Sequence, residues 1–358
     1  MDLDYSWFFI FGLLTWVMAV SYYPGEFPHW GAGECWLLGA VTSVLLFVSV
    51  LLHELGHSVV AMHFGIPVPR ITLFLFGGVS QIAEEPASAF SEFWLAISGP
   101  IVSLLLALLC WELQPAFAGL SPLLALAKYL ALLNFILAIF NLIPGFPLDG
   151  GRVLRAILWG STKNFQKAST IAAVSGQVFG YLLIFGGVWL VLTGNFFNGL
   201  WIAFIGWYLE SAAKAQMQHQ MLKNLLGGHK VSEMMTRDLK PIPAEMTLQE
   251  LVEHHVLTTG RRSFVVSDGN GPAGLITLSA VKDVPRSAWP TTPVKQVMIM
   301  PEKLISIRPN TEAWTALEKM GRDGVNQLPV VLNGGIVGMV SRDDVLHYLR
   351  LVQAVATK

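Results

Sequence analysis

The sequence contains few cysteines and few charged residues. Only Cys35 and Cys110 occur among 358 residues, which excludes a disulfide framework, and neither has a partner at zinc-ligand spacing. Charged residues make up 13% of the chain and hydrophobic residues 53%, a balance far more apolar than that of soluble globular proteins. The formal net charge of −1 gives no indication of nucleic-acid binding.

Basic residues are scarcest in the first 220 positions, which hold 7 of the 23 lysines and arginines. The long apolar runs there predict an α-helical polytopic membrane domain. Six transmembrane helices fit the pattern, at about residues 7–23, 35–64, 90–113, 123–144, 170–193 and 197–213. We therefore predict a membrane domain at 1–213, a linker at 214–230, and a soluble α/β domain made of two repeats, 231–287 and 294–350.

The charges of the connecting loops predict the orientation of these helices. Loops 24–34, 112–121 and 194–198 contain no lysine or arginine, whereas the alternate loops carry basic residues. Because basic loops stay on the cytoplasmic side, both termini are predicted to be cytoplasmic. Lys128 departs from this pattern, and a snorkelling side chain near the outer end of the fourth span would explain it.

The strongest chemical motif is His53-Glu54-Leu55-Gly56-His57, which lies inside the second apolar run. On a helix this spacing places two imidazoles one turn apart on one face, where they can bind Zn²⁺. Glu54 could then take a proton from the attacking water. The alternative is a pair of core histidines with a buried acid, which is costly in an apolar run without a partner or a function.

A zinc site needs a third protein ligand, and the sequence offers two candidates. His63 follows His57 by six residues, but along an uninterrupted helix it would lie about 120° off the ligand face. Asp149 lies in a stretch rich in proline and glycine, from Asn141 to Arg152, that cannot form a regular helix. A broken helix with a carboxylate at membrane depth is typical of an enclosed polar site, which favours Asp149.

Residues 71–82, between the second and third spans, are rich in β-forming residues and contain Gly77-Gly78. This composition predicts a strand or hairpin with a glycine bulge. The segment is too apolar for a free loop, so we expect it to re-enter the membrane against protein. Its edge could bind an extended peptide by strand addition, although an amphipathic connector with packing glycines is the alternative.

The membrane motifs together resemble the site-2 protease family of intramembrane zinc metalloproteases. The matching residues are His53 to His57, Phe76-Gly77-Gly78-Val79, Ser98-Gly99-Pro100, and Asn141-x-x-Pro144-x-x-Pro147-Leu148-Asp149-Gly150-Gly151. The resemblance implies one zinc ion per chain held by His53, His57 and Asp149, with Glu54 as general base. It also implies substrate binding by Asn141, Gly77 and Gly78. The implied substrate is a membrane protein with a transmembrane helix, such as a membrane-tethered transcription regulator or anti-sigma factor, and the implied location is a prokaryotic cell membrane.

The C-terminal part contains an internal repeat with a period near 64. Val231-x-x-x-Met235 recurs as Val294-x-x-x-Met298, and Gly274-Leu-Ile-Thr277 recurs as Gly338-Met-Val-Ser341. This pattern resembles a tandem CBS pair, or Bateman domain. The resemblance implies binding of ATP, ADP or AMP at the second copy, by Ser341 and Asp344. In the first copy Ala280 stands where the acid belongs, so at most one good ribose site is expected. A purely structural CBS pair is the alternative, and a homodimer formed through these domains is a further expectation.

The sequence thus predicts an intramembrane zinc endopeptidase with a cytoplasmic CBS pair. The second hypothesis is a CBS-gated transporter or channel, in which the histidines and Asp149 would lie on an ion path.

Overall fold

A computed structural model describes residues 2–3, 6–68, 70–74, 77–81, 86–269, 271–300, 304–333 and 335–356. The chain divides into two compact units, Met1–Gln220 and Met221–Lys358. We call them the membrane unit and the C-terminal unit.

The membrane unit is mainly helical. Its first helix, α1, continues through a π-helical turn (Met18–Tyr22) into α2, and a short 3₁₀ turn (Pro115–Phe117) precedes α5. The helices are α1 (Ser6–Val17), α2 (Tyr23–Glu26), α3 (Ala32–His63), α4 (Ala89–Glu112), α5 (Ser121–Asn141), α6 (Asp149–Thr162), α7 (Phe165–Leu192) and α8 (Phe196–Leu226). The residues of α8 from Met221 onward belong to the C-terminal unit.

Five helices in the described part of the chain are long and apolar enough to cross a bilayer: Phe8–Glu26, Ala32–His63, Ala89–Glu112, Ser121–Asn141 and Phe165–Leu192. At 1.5 Å per residue, α3 is about 48 Å long and exceeds the hydrocarbon thickness of about 30 Å. The predicted sixth span, 197–213, lies within α8, which is not among these five. The count of six therefore stays a prediction.

A small sheet joins the N-terminus to the segment between α3 and α4. It contains β1 (Asp2–Leu3), β2 (Arg70–Phe74) and β3 (Gly77–Gln81), in the order β1-β2-β3. Strand β1 runs parallel to β2, and β3 pairs with it in antiparallel register from Arg70↔Gln81 to Phe74↔Gly77. The predicted hairpin is present. The predicted glycine bulge was wrong for these five pairs, because their register advances without a shift and both glycines are paired.

Glycines bring α7 and α8 into close contact. A Cβ atom added at Gly187 would lie 2.5 Å from the carbonyl oxygen of Gly199, and one added at Gly206 would lie 2.7 Å from that of Gly180. Gly180 and Gly187 are seven residues apart on α7, and Gly199 and Gly206 are seven residues apart on α8, so each helix carries its two glycines on one face. The hydrophobic effect does not drive helices together in lipid, so their association depends on close packing. Small residues such as glycine allow the helix backbones to approach closely enough for that packing.

The C-terminal unit contains two small sheets flanked by helices. The strands are β4 (Ile242–Pro243), β5 (Ser263–Ser267) and β6 (Pro272–Thr277) in one sheet, and β7 (Gln327–Leu332) and β8 (Gly335–Ser341) in the other. The helices are α9 (Val231–Met234), α10 (Leu248–Leu251), α11 (Leu257–Thr259), α12 (Leu278–Lys282), α13 (Ala313–Arg322) and α14 (Arg342–Ala356).

The two repeats exchange their opening segments. Thr236, just after the first Val-x-x-x-Met segment, forms a bridge with Met339 on β8 of the second repeat. Ile299, just after the second such segment, forms the equivalent bridge with Leu275 on β6 of the first repeat. Val231 is accordingly buried in the core of the second copy. The predicted boundaries follow the sequence repeat, whereas each packed core combines residues from both copies.

Candidate metal centre

Three side chains from distant parts of the chain converge between α3, α4 and α6. The Nε2 atoms of His53 and His57, one turn apart on α3, lie 3.3 Å from each other. Oδ2 of Asp149, the first residue of α6, lies 3.1 Å from Nε2 of His53 and 3.2 Å from Nε2 of His57. Both imidazoles are buried, and 16% of the Asp149 side chain is exposed. These atoms form a group that could hold a metal ion.

The size of this triangle fits zinc. Zn–N and Zn–O bonds of about 2.0–2.1 Å in tetrahedral geometry place ligand atoms about 3.3–3.4 Å apart. The three observed separations, 3.1 to 3.3 Å, lie at or just below that spacing. Two imidazoles and one carboxylate also form a donor set typical of catalytic zinc, with the fourth position left for water.

The other ring nitrogen of each histidine contacts α4. Nδ1 of His57 lies 2.7 Å from the carbonyl oxygen of Leu95, and Nδ1 of His53 lies 2.9 Å from Oγ of the fully buried Ser103. The Leu95 carbonyl oxygen can only accept, so His57 donates its Nδ1 proton and its Nε2 lone pair is directed at Asp149. The Ser103 hydroxyl can receive the Nδ1 proton of His53 in the same way. The sequence did not predict either partner. Leu95 acts through its backbone, and the only signal for Ser103 was its position one turn after Gly99.

Glycines allow these elements to approach each other. A Cβ atom added at Gly99 would lie 2.2 Å from Nε2 of His57 and 2.6 Å from Nε2 of His53, so the two imidazoles rest on the bare backbone of α4. A Cβ atom at Gly150 would lie 2.4 Å from the carbonyl carbon of Leu142. The glycines of the Ser98-Gly99-Pro100 and Asp149-Gly150-Gly151 motifs therefore serve close packing around the triangle.

The other predicted residues of the membrane unit, Glu54, Asn141 and His63, lie outside this triangle. Glu54 is half-buried next to His53 on α3, and its carboxylate interacts electrostatically with His57. Asn141 is the last residue of α5, and its Nδ2 donates to the carbonyl oxygen of Leu137 at 3.0 Å. His63 ends α3 as an exposed residue with its ring against Phe64, and it does not join the triangle.

The predicted substrate-binding glycines lie on β3. Gly77 pairs with Phe74, and Gly78 pairs with Leu73, so both glycines face β2 across one ladder. Strand β3 is an outer strand of its sheet. Phe76, which belongs to the same motif, lies outside the described residues.

Ser341 and Asp344 contact each other in the C-terminal unit. Oδ2 of Asp344 accepts hydrogen bonds from the backbone N–H of Ser341 at 2.8 Å and from its hydroxyl at 2.6 Å. The Asp344 N–H in turn donates to the Ser341 hydroxyl at 3.1 Å. In the first copy Thr277 caps α12 through the N–H of Ala280. Both copies thus use this motif to begin a helix, and only the second carries a carboxylate there.

The chain is similar to known proteins over most of its length. The chain is 34% identical to sll0528 of Synechocystis sp., over 96% of this chain and 91% of that protein, and 33% identical to Rip3 of Mycobacterium tuberculosis, over 97% and 90%. Both relatives are named as zinc metalloproteases. A solved site-2 protease from Methanocaldococcus jannaschii is 28% identical over 60% of this chain and 89% of that one, with a TM-score of 0.42.

Family models match both units. Residues 41–119 and 114–186 match the model of peptidase family M50, and residues 231–287 and 281–351 match the model of the CBS domain. The relatives do not favour the transporter or channel hypothesis. Together with the five apolar helices, the matches indicate an integral membrane protein. The chain is a member of peptidase family M50, a zinc metalloprotease that also carries a pair of CBS domains.

Proposed function

We propose that His53, His57 and Asp149 hold one zinc ion and that Glu54 is the general base in hydrolysis of a peptide bond within the membrane. The observation that carries the proposal is the buried triangle of three ligand atoms, with sides of 3.1 to 3.3 Å. Two of its corners come from a helix long enough to span a bilayer, so the reaction takes place at membrane depth.

The residues of the chain have separate roles in this chemistry. Bound zinc would supply a Lewis acid that lowers the pKa of water to about 7 and polarises a carbonyl. Glu54 takes a proton from the attacking water and returns it to the leaving amine. Leu95 and Ser103 fix the tautomers of the two imidazoles, so that both Nε2 atoms remain acceptors.

The proposed substrate is a membrane protein with a transmembrane helix, such as a membrane-tethered transcription regulator or anti-sigma factor. A peptide bond inside a helix is shielded by the hydrogen bonds of that helix, so the substrate must unwind before it is cut. Because β3 lies at the edge of its sheet, the backbone at Gly77 and Gly78 can receive the unwound segment by strand addition. Asn141 would hold the unwound backbone near the metal.

We further propose six membrane spans, with 197–213 as the sixth, and a sheet that re-enters the membrane between the second and third spans. The charges of the loops favour cytoplasmic termini, and the proposed location is a prokaryotic cell membrane. The domains would be 1–213 in the membrane, 214–230 as linker, and 231–287 with 294–350 as the CBS repeats. On this topology the zinc site opens toward the cytoplasmic side, from which water must reach it.

The CBS pair is proposed to regulate proteolysis. ATP, ADP or AMP would bind at the second copy, where the Asp344 carboxylate can accept hydrogen bonds from ribose hydroxyls and Ser341 can contact phosphate. Binding requires that a nucleotide displace or share the internal hydrogen bonds of these two residues. A bound nucleotide can change the rate of cleavage only if it binds two states of the enzyme with different affinities. A homodimer through the CBS domains belongs to the same proposal.

Glu54→Gln tests the proposed chemistry. This variant should bind zinc normally but should not cleave, because a glutamine side chain cannot accept the proton of water. Quantitative mass spectrometry of membranes from cells with either form should show the substrate accumulating uncut in the variant. Glu112→Gln, the same change at an exposed position of α4, should leave cleavage unchanged. Normal cleavage by Glu54→Gln would overturn the proposal.

A further inference from the structure

A buried ion pair lies beside the metal centre, between the two helices that support it. Glu92, near the start of α4, is fully buried, and Arg155, on α6, is 4% exposed. The Arg155 Nε–H donates to Oε1 of Glu92 at 2.7 Å, and its Nη2 donates to the same oxygen. Burying two charges is costly, so a pair this well enclosed calls for a specific role.

Aromatic rings enclose the arginine. Its guanidinium carbon lies 5.0 Å from the ring centroid of Phe146 and 4.8 Å from that of Phe165. Both contacts are within the range of cation–π attraction. Phe146 belongs to the broken segment that leads into α6, and Phe165 is the first residue of α7. Arg155 therefore ties α6 to α4, to the segment before α6 and to the start of α7.

In the described part of the chain, neither Glu92 nor Arg155 forms a hydrogen bond or ion pair with His53, His57 or Asp149. Arg155 follows Asp149 by six residues on α6, a rise of about 9 Å along the helix. Glu92 precedes Leu95, whose carbonyl oxygen accepts from His57, by one turn of α4. The pair thus joins the helix that supports the histidines to the helix that carries the third ligand.

We propose that the Glu92–Arg155 pair positions Asp149 against His53 and His57, and so sets the affinity of the site for zinc. The inference rests on the proposed function, because it takes these three residues as the ligands. The long sequence separation between the ligands explains why a positioning contact is needed. His57 and Asp149 are 92 residues apart, and a shift of α6 along α4 would open the triangle without unfolding either helix. Glu92 and Arg155 are positioning residues in this account.

Zinc affinity in a double-mutant cycle tests the proposal. Chelator competition on the purified full-length protein gives the zinc affinity of wild type and of Arg155→Met. Titration with added zinc gives the weaker affinity that His53 and His57 retain in Asp149→Asn and in the double variant, which do not hold zinc through purification. Arg155→Met should weaken zinc binding about 10- to 100-fold, as loss of a supporting contact typically does. In the Asp149→Asn background the same change should cost less than about twofold, because the ligand it positions is already gone. An equal loss in both backgrounds would show general destabilisation and would overturn the proposal.

Controls separate this result from other failures. Lys167→Met removes an exposed cation from α7 and should leave zinc affinity unchanged. Glu92→Gln keeps the shape of the side chain, and its effects on zinc affinity in the two backgrounds should match those of Arg155→Met. It therefore tests the positioning role even if Arg155→Met does not fold. A wild-type protein without zinc would refute the proposed function itself. Zinc binding that depends on Asp149 but not on Glu92 or Arg155 would refute only the positioning role.

Discussion

Replacing Gly99 by alanine should displace both histidines from the metal-binding geometry. The added Cβ atom would lie 2.2 Å from Nε2 of His57 and 2.6 Å from Nε2 of His53. To restore an ordinary contact of 3.4 Å, these nitrogens must retreat by about 1.2 and 0.8 Å. Metal–ligand distances tolerate about 0.2 Å, so both shifts are several times too large. We expect zinc affinity to fall by at least about 100-fold, beyond the loss of one supporting contact.

The assay is zinc content after dialysis, together with chelator competition on the purified protein in detergent. Gly186→Ala, in the interior of α7, provides the matched control because nothing lies within 4 Å of its added Cβ atom. Alanine favours a helix over glycine by about 1 kcal/mol, so the control should be neutral or slightly stabilising. Normal zinc affinity in Gly99→Ala would refute the argument that the imidazoles rest on the α4 backbone.

Three further predictions follow from other contacts. Ser103→Ala should weaken zinc binding about 10- to 100-fold by removing the oxygen that receives an imidazole N–H, as measured by chelator competition. Gly187→Leu should lower the melting temperature in detergent, whereas Gly186→Leu should not, because only the first position faces the α8 backbone. Hydrogen bonds from Tyr348 and His229 lower the pKa of Glu233 from 4.5 to about 2, so the stability that this carboxylate contributes is present above about pH 4.5 and lost as the pH falls toward 2. Tyr348→Phe should flatten that loss in an acid-unfolding curve, and an unchanged curve would contradict the assignment.

The histidine pair and the broken helix could be predicted from the sequence because both depend on local sequence patterns. Side chains at positions i and i+4 share a helix face, so His53 and His57 had to converge wherever α3 lay. Asp149 was accessible because proline and glycine prevent a regular helix just before it. The structure brings these three residues together. Their role as ligands stays a prediction that the zinc measurements test.

Other features depend on contacts between distant segments, which no local pattern encodes. The support from Leu95 comes through a backbone carbonyl, whose availability depends only on how α4 packs against α3. The pairing of Glu92 with Arg155 joins residues 63 positions apart that carry no mutual sequence signal. The bulge expected at Gly77-Gly78 was wrong because glycine in a strand also serves regular pairing where neighbours approach closely.

The exchange of opening segments between the CBS repeats also depends on contacts between distant segments, so the sequence did not predict it. A repeat in sequence shows that two units are alike, but it does not show which copy each segment pairs with. Thr236 bridges to β8 and Ile299 to β6, and both choices depend on the packing of the whole unit. The repeat predicted the type of domain correctly and left this pairing open.

Zinc content of the purified full-length chain tests the central claim most directly. The account predicts about one zinc ion per wild-type chain and per Glu54→Gln chain, and loss of zinc from His57→Ala and Asp149→Asn. A wild-type chain that binds no zinc, or zinc that remains in both ligand variants, would contradict it.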